Sequence, residues 1–212
     1  MKSIRKSLAW AALAIGTLAA AQGCIPVIVG GTGMAVAMVS DRRSSGTYVE
    51  DEGIEWKANK WINDRLGDKV HVNATSFNRK LLITGEAFNQ ESLEEAGRLA
   101  AAVDNVREVV NELRVAPTST FGARSNDSYI SSKVKARFVD QKEFHVQQVK
   151  VTTEAGTVYL MGLVSRREGD AATEIARTTN GVQKVVRVFE YISEDEARRL
   201  DSAITPADAT KQ

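Results

Sequence analysis

The sequence predicts an α+β protein made of two tandem copies of one α-β-β-α-β unit. Three short segments recur in the same order further along the chain, and such an ordered match is hard to obtain by chance. Within each copy of about 70 residues, helical and strand periodicities alternate, which predicts two helices on one face of a three-stranded mixed sheet. The matching pairs are residues 72–75 with 149–152, 81–85 with 158–162, and 106–110 with 182–186.

The first element of each copy is an amphipathic helix, predicted over residues 54–66 and 127–139. In the second copy, Ile130, Val134 and Phe138 fall on one stripe when successive residues are placed about 100° apart. This stripe predicts the face that packs on the sheet.

Two apolar strands follow in each copy and are joined by a short turn, at residues 78–79 and 154–156. The second strand ends at Gly85 in the first copy and at Gly162 in the second. A glycine at this point indicates unusual backbone geometry or close packing, so both are predicted as structural residues. The remaining predicted elements are a second helix (90–103 and 166–178) and a last strand (106–115 and 182–192).

Composition sets the predicted domain boundaries. Domain 1 is expected at residues 47–116 and domain 2 at residues 125–192, with a linker at 117–124 between them. Residues 193–212 are expected to form a polar C-terminal tail with a short helix around 196–200.

Cys24, the only cysteine, follows a basic segment and an apolar run at residues 8–21. This order is typical of a bacterial lipoprotein signal, in which residues 1–23 are removed and the thiol is acylated. The alternative is an ordinary secretory signal with an incidental cysteine. On the lipoprotein hypothesis, residues 24–46 form a flexible leash, and Ile25 after the cysteine favours sorting to the outer membrane.

The charge balance and the histidines limit the function classes. The whole chain carries a net charge of +1, and removal of Lys2, Arg5 and Lys6 leaves 25 basic and 27 acidic residues. This near neutrality speaks against nucleic acid as a partner. The two histidines, His71 and His145, have no carboxylate at metal-ligand spacing, so we predict no catalytic residue, no metal site and no cofactor.

The paired units resemble the BON domain, on the segments 150–154 (KVTTE) and 158–164 (VYLMGLV) and on the glycine that ends the second strand. Together with the Cys24 signal, the chain resembles the dual-BON outer-membrane lipoproteins of the DolP/YraP family. The resemblance implies a non-enzymatic, lipid-anchored protein that faces the periplasm. It further implies binding of anionic phospholipid (phosphatidylglycerol, cardiolipin) through the first helix of the second domain, recruitment to division sites and support of envelope integrity.

That helix has a composition that suits an interface. Opposite the buried stripe, Tyr129 and Ala136 cluster with Lys133, while Arg137 and Val139 lie at the two margins. An exposed tyrosine among cations is expected where a helix lies at the headgroup level of a bilayer. These five residues are the predicted phospholipid-binding site, and the alternative is an ordinary solvated face.

Two other functions compete with lipid binding. One is a protein-interaction or holdase module that assists outer-membrane protein assembly, with the β-barrel assembly machinery as its partner. The other is an envelope spacer without a specific ligand. Trp56, which points away from the predicted core of the first helix, is either a contact residue or a lone surface aromatic.

Overall fold

The computed structural model describes residues 41–204. The predicted signal peptide, Cys24 and the first part of the predicted leash lie outside the described residues, as does the end of the C-terminal tail. Within residues 41–204, no helix combines the length and the apolar character that crossing a membrane requires.

The described chain contains two α-β-β-α-β units followed by one further helix, which confirms the predicted fold class. Domain 1 consists of α1 (Ser45–Leu66), β1 (Val70–Phe77), β2 (Lys80–Ala87), α2 (Gln90–Ala101) and β3 (Glu108–Val115). Domain 2 consists of α3 (Phe121–Val139), β4 (Val149–Glu154), β5 (Thr157–Val164), α4 (Arg166–Arg177) and β6 (Lys184–Tyr191). The last helix is α5 (Glu194–Ile204).

Each domain has a three-stranded mixed sheet with the second strand in the middle. In domain 1, β1 pairs with β2 antiparallel and β2 pairs with β3 parallel, and domain 2 repeats this order. The helices cover one face of each sheet, because their apolar stripes match the apolar side chains of the central strand. In domain 2 this stripe is Ile130, Val134 and Phe138, as the periodicity predicted.

The opposite faces of the two sheets contact each other. Phe77 and Leu82 of domain 1 share an apolar cluster with Tyr159, Met161 and Val188 of domain 2. A three-stranded sheet with helices on one side has a second apolar face to cover, and here the other copy covers it. The two domains therefore form one packed structure.

One buried aspartate in each domain holds the hairpin between the first two strands. The Asp51 carboxylate accepts the backbone N–H groups of Asn78 and Arg79 at 2.8 and 2.7 Å, and Asp127 accepts those of Ala155 and Gly156 at 2.8 and 2.9 Å. All four turn residues have positive φ, between 47° and 73°, which leaves their N–H groups pointing inward. Asp127, the first residue of the helix predicted in domain 2, stabilises this turn.

Gly85 and Gly162 do not end the second strands, which continue to Ala87 and Val164. The two glycines occupy equivalent positions inside these strands, where a side chain would collide with backbone. A Cβ atom on Gly85 would lie 2.0 Å from the carbonyl oxygen of His71, and one on Gly162 would lie 2.5 Å from that of Gln148. Gly85 also has φ at 121°, a conformation that other residues rarely adopt. Both predicted structural roles rest on this close approach to the neighbouring strand.

Residues 41–43, predicted as part of the flexible leash, are instead packed between the domains. The buried Arg42 guanidinium donates to both carboxylate oxygens of Glu168 at 2.8 Å and pairs with Asp201 of α5. Arg43 pairs with Asp51 at 2.7 Å and lies 4.0 Å from the ring centroid of Phe77. Consecutive arginines therefore bind one domain each, which the local composition did not predict.

Three helices are longer than predicted. Helix α1 begins at Ser45 because the Ser44 hydroxyl accepts the N–H of Thr47, and α3 begins at Phe121 because Thr120 does the same for Ala123. The predicted linker is therefore partly helical. Helix α5 is longer than the short helix expected in the tail, and its Asp201 reaches Arg42.

Candidate functional site

The five predicted lipid-binding residues lie on α3, on the side that its packing leaves in solvent. Because Ile130, Val134 and Phe138 bind the helix to the sheet, the residues about half a turn away face outward. Tyr129 is 63% exposed, Val139 is 66% exposed, and Ala136 between them is also exposed. These three side chains form one accessible surface of low polarity.

Lys133 is placed by two contacts. Its Nζ atom lies 4.7 Å from the ring centroid of Tyr129, and it donates to the backbone carbonyl of Asn180. A cation at this distance from an aromatic ring is attracted to the ring's face. The contact holds the tyrosine and one positive charge side by side at the surface.

Arg137 has a structural contact that its sequence position did not reveal. Its Nη1 atom donates to the Ile175 carbonyl at 2.7 Å and to the hydroxyls of Thr178 and Thr179 at 3.0 and 2.8 Å. These acceptors lie at the C-terminal end of α4, where carbonyls lack helical partners and a cation is favoured. Arg137 is exposed, and it joins the first helix of domain 2 to the second.

The cations of α3 have no acidic partners. In residues 41–204, no carboxylate lies within ion-pair distance of any cation of this helix; those cations are Arg124, Lys133, Lys135 and Arg137. Helix α1 differs, because Lys57, Lys60 and Arg65 pair with Asp104, Asp64 and Glu95. No carboxylate of residues 41–204 thus neutralises the positive charge of α3, whereas the cations of α1 are paired within the chain.

Phe121 is an exposed apolar residue that the sequence reasoning missed. Its side chain is 79% exposed in the first turn of α3, in a segment predicted to be linker. The threonine at position 120, a favoured N-cap residue, was the available signal. With Phe121, the helix has exposed apolar side chains in its first turn as well as at Tyr129 and Val139.

The histidines lie in different environments. His145 is exposed, whereas His71 of β1 lies beside Glu86 of β2 and Glu154 of β4, with one potential ligand atom of each within 4.8 Å of the others. Sequence spacing hid this group, because Glu86 is brought opposite His71 by antiparallel pairing and Glu154 belongs to the other domain.

The fold and its apolar, cationic helix define a class of duplicated α+β protein, and comparison with known proteins identifies it. The family model of the BON domain matches residues 57–117 and 126–193. The chain is 34% identical to the outer membrane lipoprotein DolP of Haemophilus influenzae over 183 residues, which cover 85% of this chain and 95% of that protein. It therefore belongs to the dual-BON family of DolP.

Other relatives are more distant or shorter in their match. The 21 kDa hemolysin of Actinobacillus pleuropneumoniae is 36% identical over 72% of this chain and 79% of that protein. Osmotically-inducible protein Y of Escherichia coli is 27% identical over 69% of this chain and 75% of that protein. A solved structure of CdsD, a type III secretion protein of Chlamydia trachomatis, matches with a TM-score of 0.26 at 15% identity over 73% of this chain and 97% of that one, which supports no inference.

Proposed function

We propose that the protein is an outer-membrane lipoprotein, anchored through an acylated Cys24, that binds anionic phospholipid through helix α3. The observation that carries the proposal is the set of cations on α3, beside the exposed Tyr129, that have no carboxylate partner among residues 41–204. The relative named an outer membrane lipoprotein supports the location. Phosphatidylglycerol and cardiolipin are the expected ligands because both carry negative headgroups.

The physical mechanism has a polar and an apolar part. Each lysine or arginine near an anionic membrane surface contributes about 1 kcal/mol, and salt screens this attraction. Tyr129, Val139 and Phe121 would enter the headgroup region, where aromatic rings are favoured. An acyl anchor would keep α3 close to the same surface and raise its effective concentration there, so weak intrinsic affinity is sufficient.

A vesicle-binding assay tests the proposal. The processed chain with Cys24→Ser should co-sediment with phosphatidylglycerol vesicles more than with phosphatidylcholine vesicles, since no acyl chain then contributes. Tyr129→Glu should weaken this binding by about tenfold, because it removes the aromatic anchor and adds a charge of the wrong sign.

The matched control is Trp56→Glu on α1, where an aromatic residue that is 64% exposed receives the same change. It should leave vesicle binding unchanged. Equal binding of the parent protein to both vesicle types, or an equal loss in both variants, would reject α3 as the lipid-binding helix.

Lipid binding would also explain where in the cell the protein collects. We propose that the protein collects at division sites through its headgroup-binding helix, since anionic lipid is enriched in some membrane regions, and that it supports envelope integrity from there. Microscopy of the Tyr129→Glu variant, with its signal sequence and Cys24 intact, should show uniform membrane fluorescence instead of a band at mid-cell.

A second candidate function is a protein-interaction module in outer-membrane protein assembly. Phe88 and Val115 favour it, because both are exposed apolar residues next to the ends of paired strands in domain 1. If this function operates, Phe88→Ser should reduce recovery of the β-barrel assembly machinery in a pulldown while vesicle binding is retained.

A further inference from the structure

His71, Glu86 and Glu154 meet where the two domains contact each other. His71 of β1 is the direct cross-strand neighbour of Glu86 of β2, so both side chains lie on the same face of the domain 1 sheet. Glu154 ends β4 of domain 2. One ligand atom from each of the three residues lies within 4.8 Å of the others.

The two carboxylates of the group are buried, whereas His71 is partly exposed. Glu86 is only 2% exposed and Glu154 only 4% exposed. Burial, together with the nearby Glu86, raises the pKa of Glu154 despite a hydrogen bond from Asn73. Arg114, which is half exposed, donates to Glu86 at 3.0 Å. Two carboxylates in a buried space require a positive partner, because an uncompensated buried charge is costly.

Two buried polar atoms at this place lack a hydrogen-bond partner. The His71 Nδ1 atom lies 3.3 Å from Glu86 Oε2 but makes no hydrogen bond, and the Ser119 hydroxyl is likewise unpartnered. The Ser119 backbone N–H donates to the same Glu86 oxygen at 3.2 Å. In residues 41–204, these are the two buried side-chain polar atoms without a partner, and both adjoin Glu86. A bound ion is one way to satisfy such atoms.

We propose that His71, Glu86 and Glu154 bind a divalent transition metal ion, with Zn²⁺ as the probe, and that this ion links the two domains. An imidazole nitrogen and two carboxylate oxygens form a donor set that Zn²⁺ accepts. Ligand atoms about 2.0 to 2.2 Å from a tetrahedral ion lie about 3.4 Å apart, close to the separation of His71 Nδ1 and Glu86 Oε2. Water would complete the coordination.

Neighbouring residues already orient the carboxylates. Asn73 donates to one oxygen of Glu154 at 2.8 Å, and Arg114 donates to the Glu86 oxygen that faces away from His71. Hydrogen bonds of this kind hold metal-binding carboxylates in place. Domain 2 has no such group at the equivalent position, since Gln148 there hydrogen-bonds to Asp201 at 2.8 Å. The site would therefore form only where the two domains meet.

Zinc titration of the full-length protein, purified without a histidine tag, tests the proposal. Isothermal titration calorimetry should give one strong Zn²⁺ site per chain, and His71→Ala and Glu154→Gln should each weaken it by tenfold or more. The control is His145→Ala, which removes the only other histidine and should leave the dissociation constant unchanged. Asn73→Ala keeps all three ligands and should weaken binding by about tenfold or less.

Thermal unfolding gives a second readout that does not depend on calorimetry. Zn²⁺ should raise the midpoint of the parent protein, because an ion that binds only the folded form stabilises it, and should not raise that of His71→Ala. Circular dichroism without metal verifies that the variants are folded. Absence of a strong site, or Zn²⁺ affinity that survives His71→Ala or disappears in His145→Ala, would overturn the proposal.

Discussion

The two domains share a fold, but their first helices carry opposite charge and use it differently. Helix α1 has five acidic and three basic residues, and its cations are paired within the chain. Helix α3 has one acidic and four basic residues, and its single acid, Asp127, is committed to the hairpin turn. The comparison indicates that duplication kept the packing stripe and freed the outer face of each helix to diverge.

A second contrast concerns the buried aspartates. Asp51 and Asp127 both hold a hairpin, but Asp51 also accepts from the Ser76 hydroxyl and pairs with Arg43, each at 2.7 Å. Domain 1 thus holds the segment before α1 through the pair of Asp51 and Arg43. Domain 2 holds the same segment through the pair of Glu168 and Arg42. The buried aspartate therefore holds only the hairpin turn in domain 2, whereas in domain 1 it also belongs to a wider network of hydrogen bonds and ion pairs.

Substitution of these two aspartates should give the largest difference between the domains in the free energy of unfolding. Asp51→Ala should destabilise the protein by about 3 to 5 kcal/mol, because it leaves two turn N–H groups without their acceptor and removes one of the two carboxylates that pair with the buried Arg43 side chain, the other being Asp41. Asp127→Ala should cost about 1 to 3 kcal/mol. Urea unfolding measures both, and Glu52→Ala on the exposed side of α1 should change little. Equal losses at Asp51 and Asp127 would show that Arg43 adds nothing to the network.

Substitution of the glycines should also destabilise domain 1 more than domain 2, but with a smaller difference in the free energy of unfolding. Gly85→Ala combines backbone strain with a collision and should cost about 2 to 3 kcal/mol, more than Gly162→Ala, where φ is ordinary. Gly53→Ala is the control, since nothing lies near its Cβ position and alanine favours a helix. Thermal unfolding should show Gly53→Ala unchanged or more stable. A Gly85→Ala protein as stable as the parent would contradict the close strand approach.

The Arg42 contact with domain 2 should make stability depend on pH. Burial alone would raise the pKa of Glu168, but hydrogen bonds from Arg42 and from Ser165 outweigh it and hold the pKa below the ordinary value of 4.5. Its stabilising contribution is therefore complete above that value and is lost as pH falls through the lower, folded-state pKa.

Glu168→Gln should reduce stability by about 2 kcal/mol at pH 7, as expected for hydrogen bonds to a charged group. The difference from the parent should shrink below pH 4.5. Urea unfolding at pH 7 and at a series of acidic values checks this. A difference that does not change with pH would show that the charge of Glu168 is not what holds Arg42.

The smallest expected effect is on phosphatidylglycerol binding when single lysines of α3 and α1 are replaced. Lys133→Gln should weaken phosphatidylglycerol binding by about 1 kcal/mol at low salt and by less at high salt. Lys57→Gln should have no effect, because this lysine of α1 is paired with Asp104, which follows α2. Vesicle titrations at two salt concentrations measure both, and equal losses would mean that overall charge, not helix α3, attracts the lipid.

The features that the sequence predicted correctly depend on local order. The repeat and the stripe of Ile130, Val134 and Phe138 are both contained in short windows of sequence. Those windows are enough because side-chain periodicity and turn residues determine local structure directly.

The features that were missed depend on residues far apart in the chain. Arg42 and Glu168 are separated by 126 residues, and no local signal marks either as a partner of the other. The start of α3 at Phe121 was missed because its first turns lack an apolar stripe. The group of His71, Glu86 and Glu154 required both the strand register and the contact between domains.

The most direct test of the difference between the domains is a lipid titration followed by residue-resolved NMR. Short-chain phosphatidylglycerol added to the Cys24→Ser protein should shift the amide signals of α3, at Tyr129, Lys133, Ala136, Arg137 and Val139. The signals around Trp56 in α1 should stay in place. Shifts centred on α1, or spread equally over both domains, would contradict lipid binding by the unpaired cations of α3.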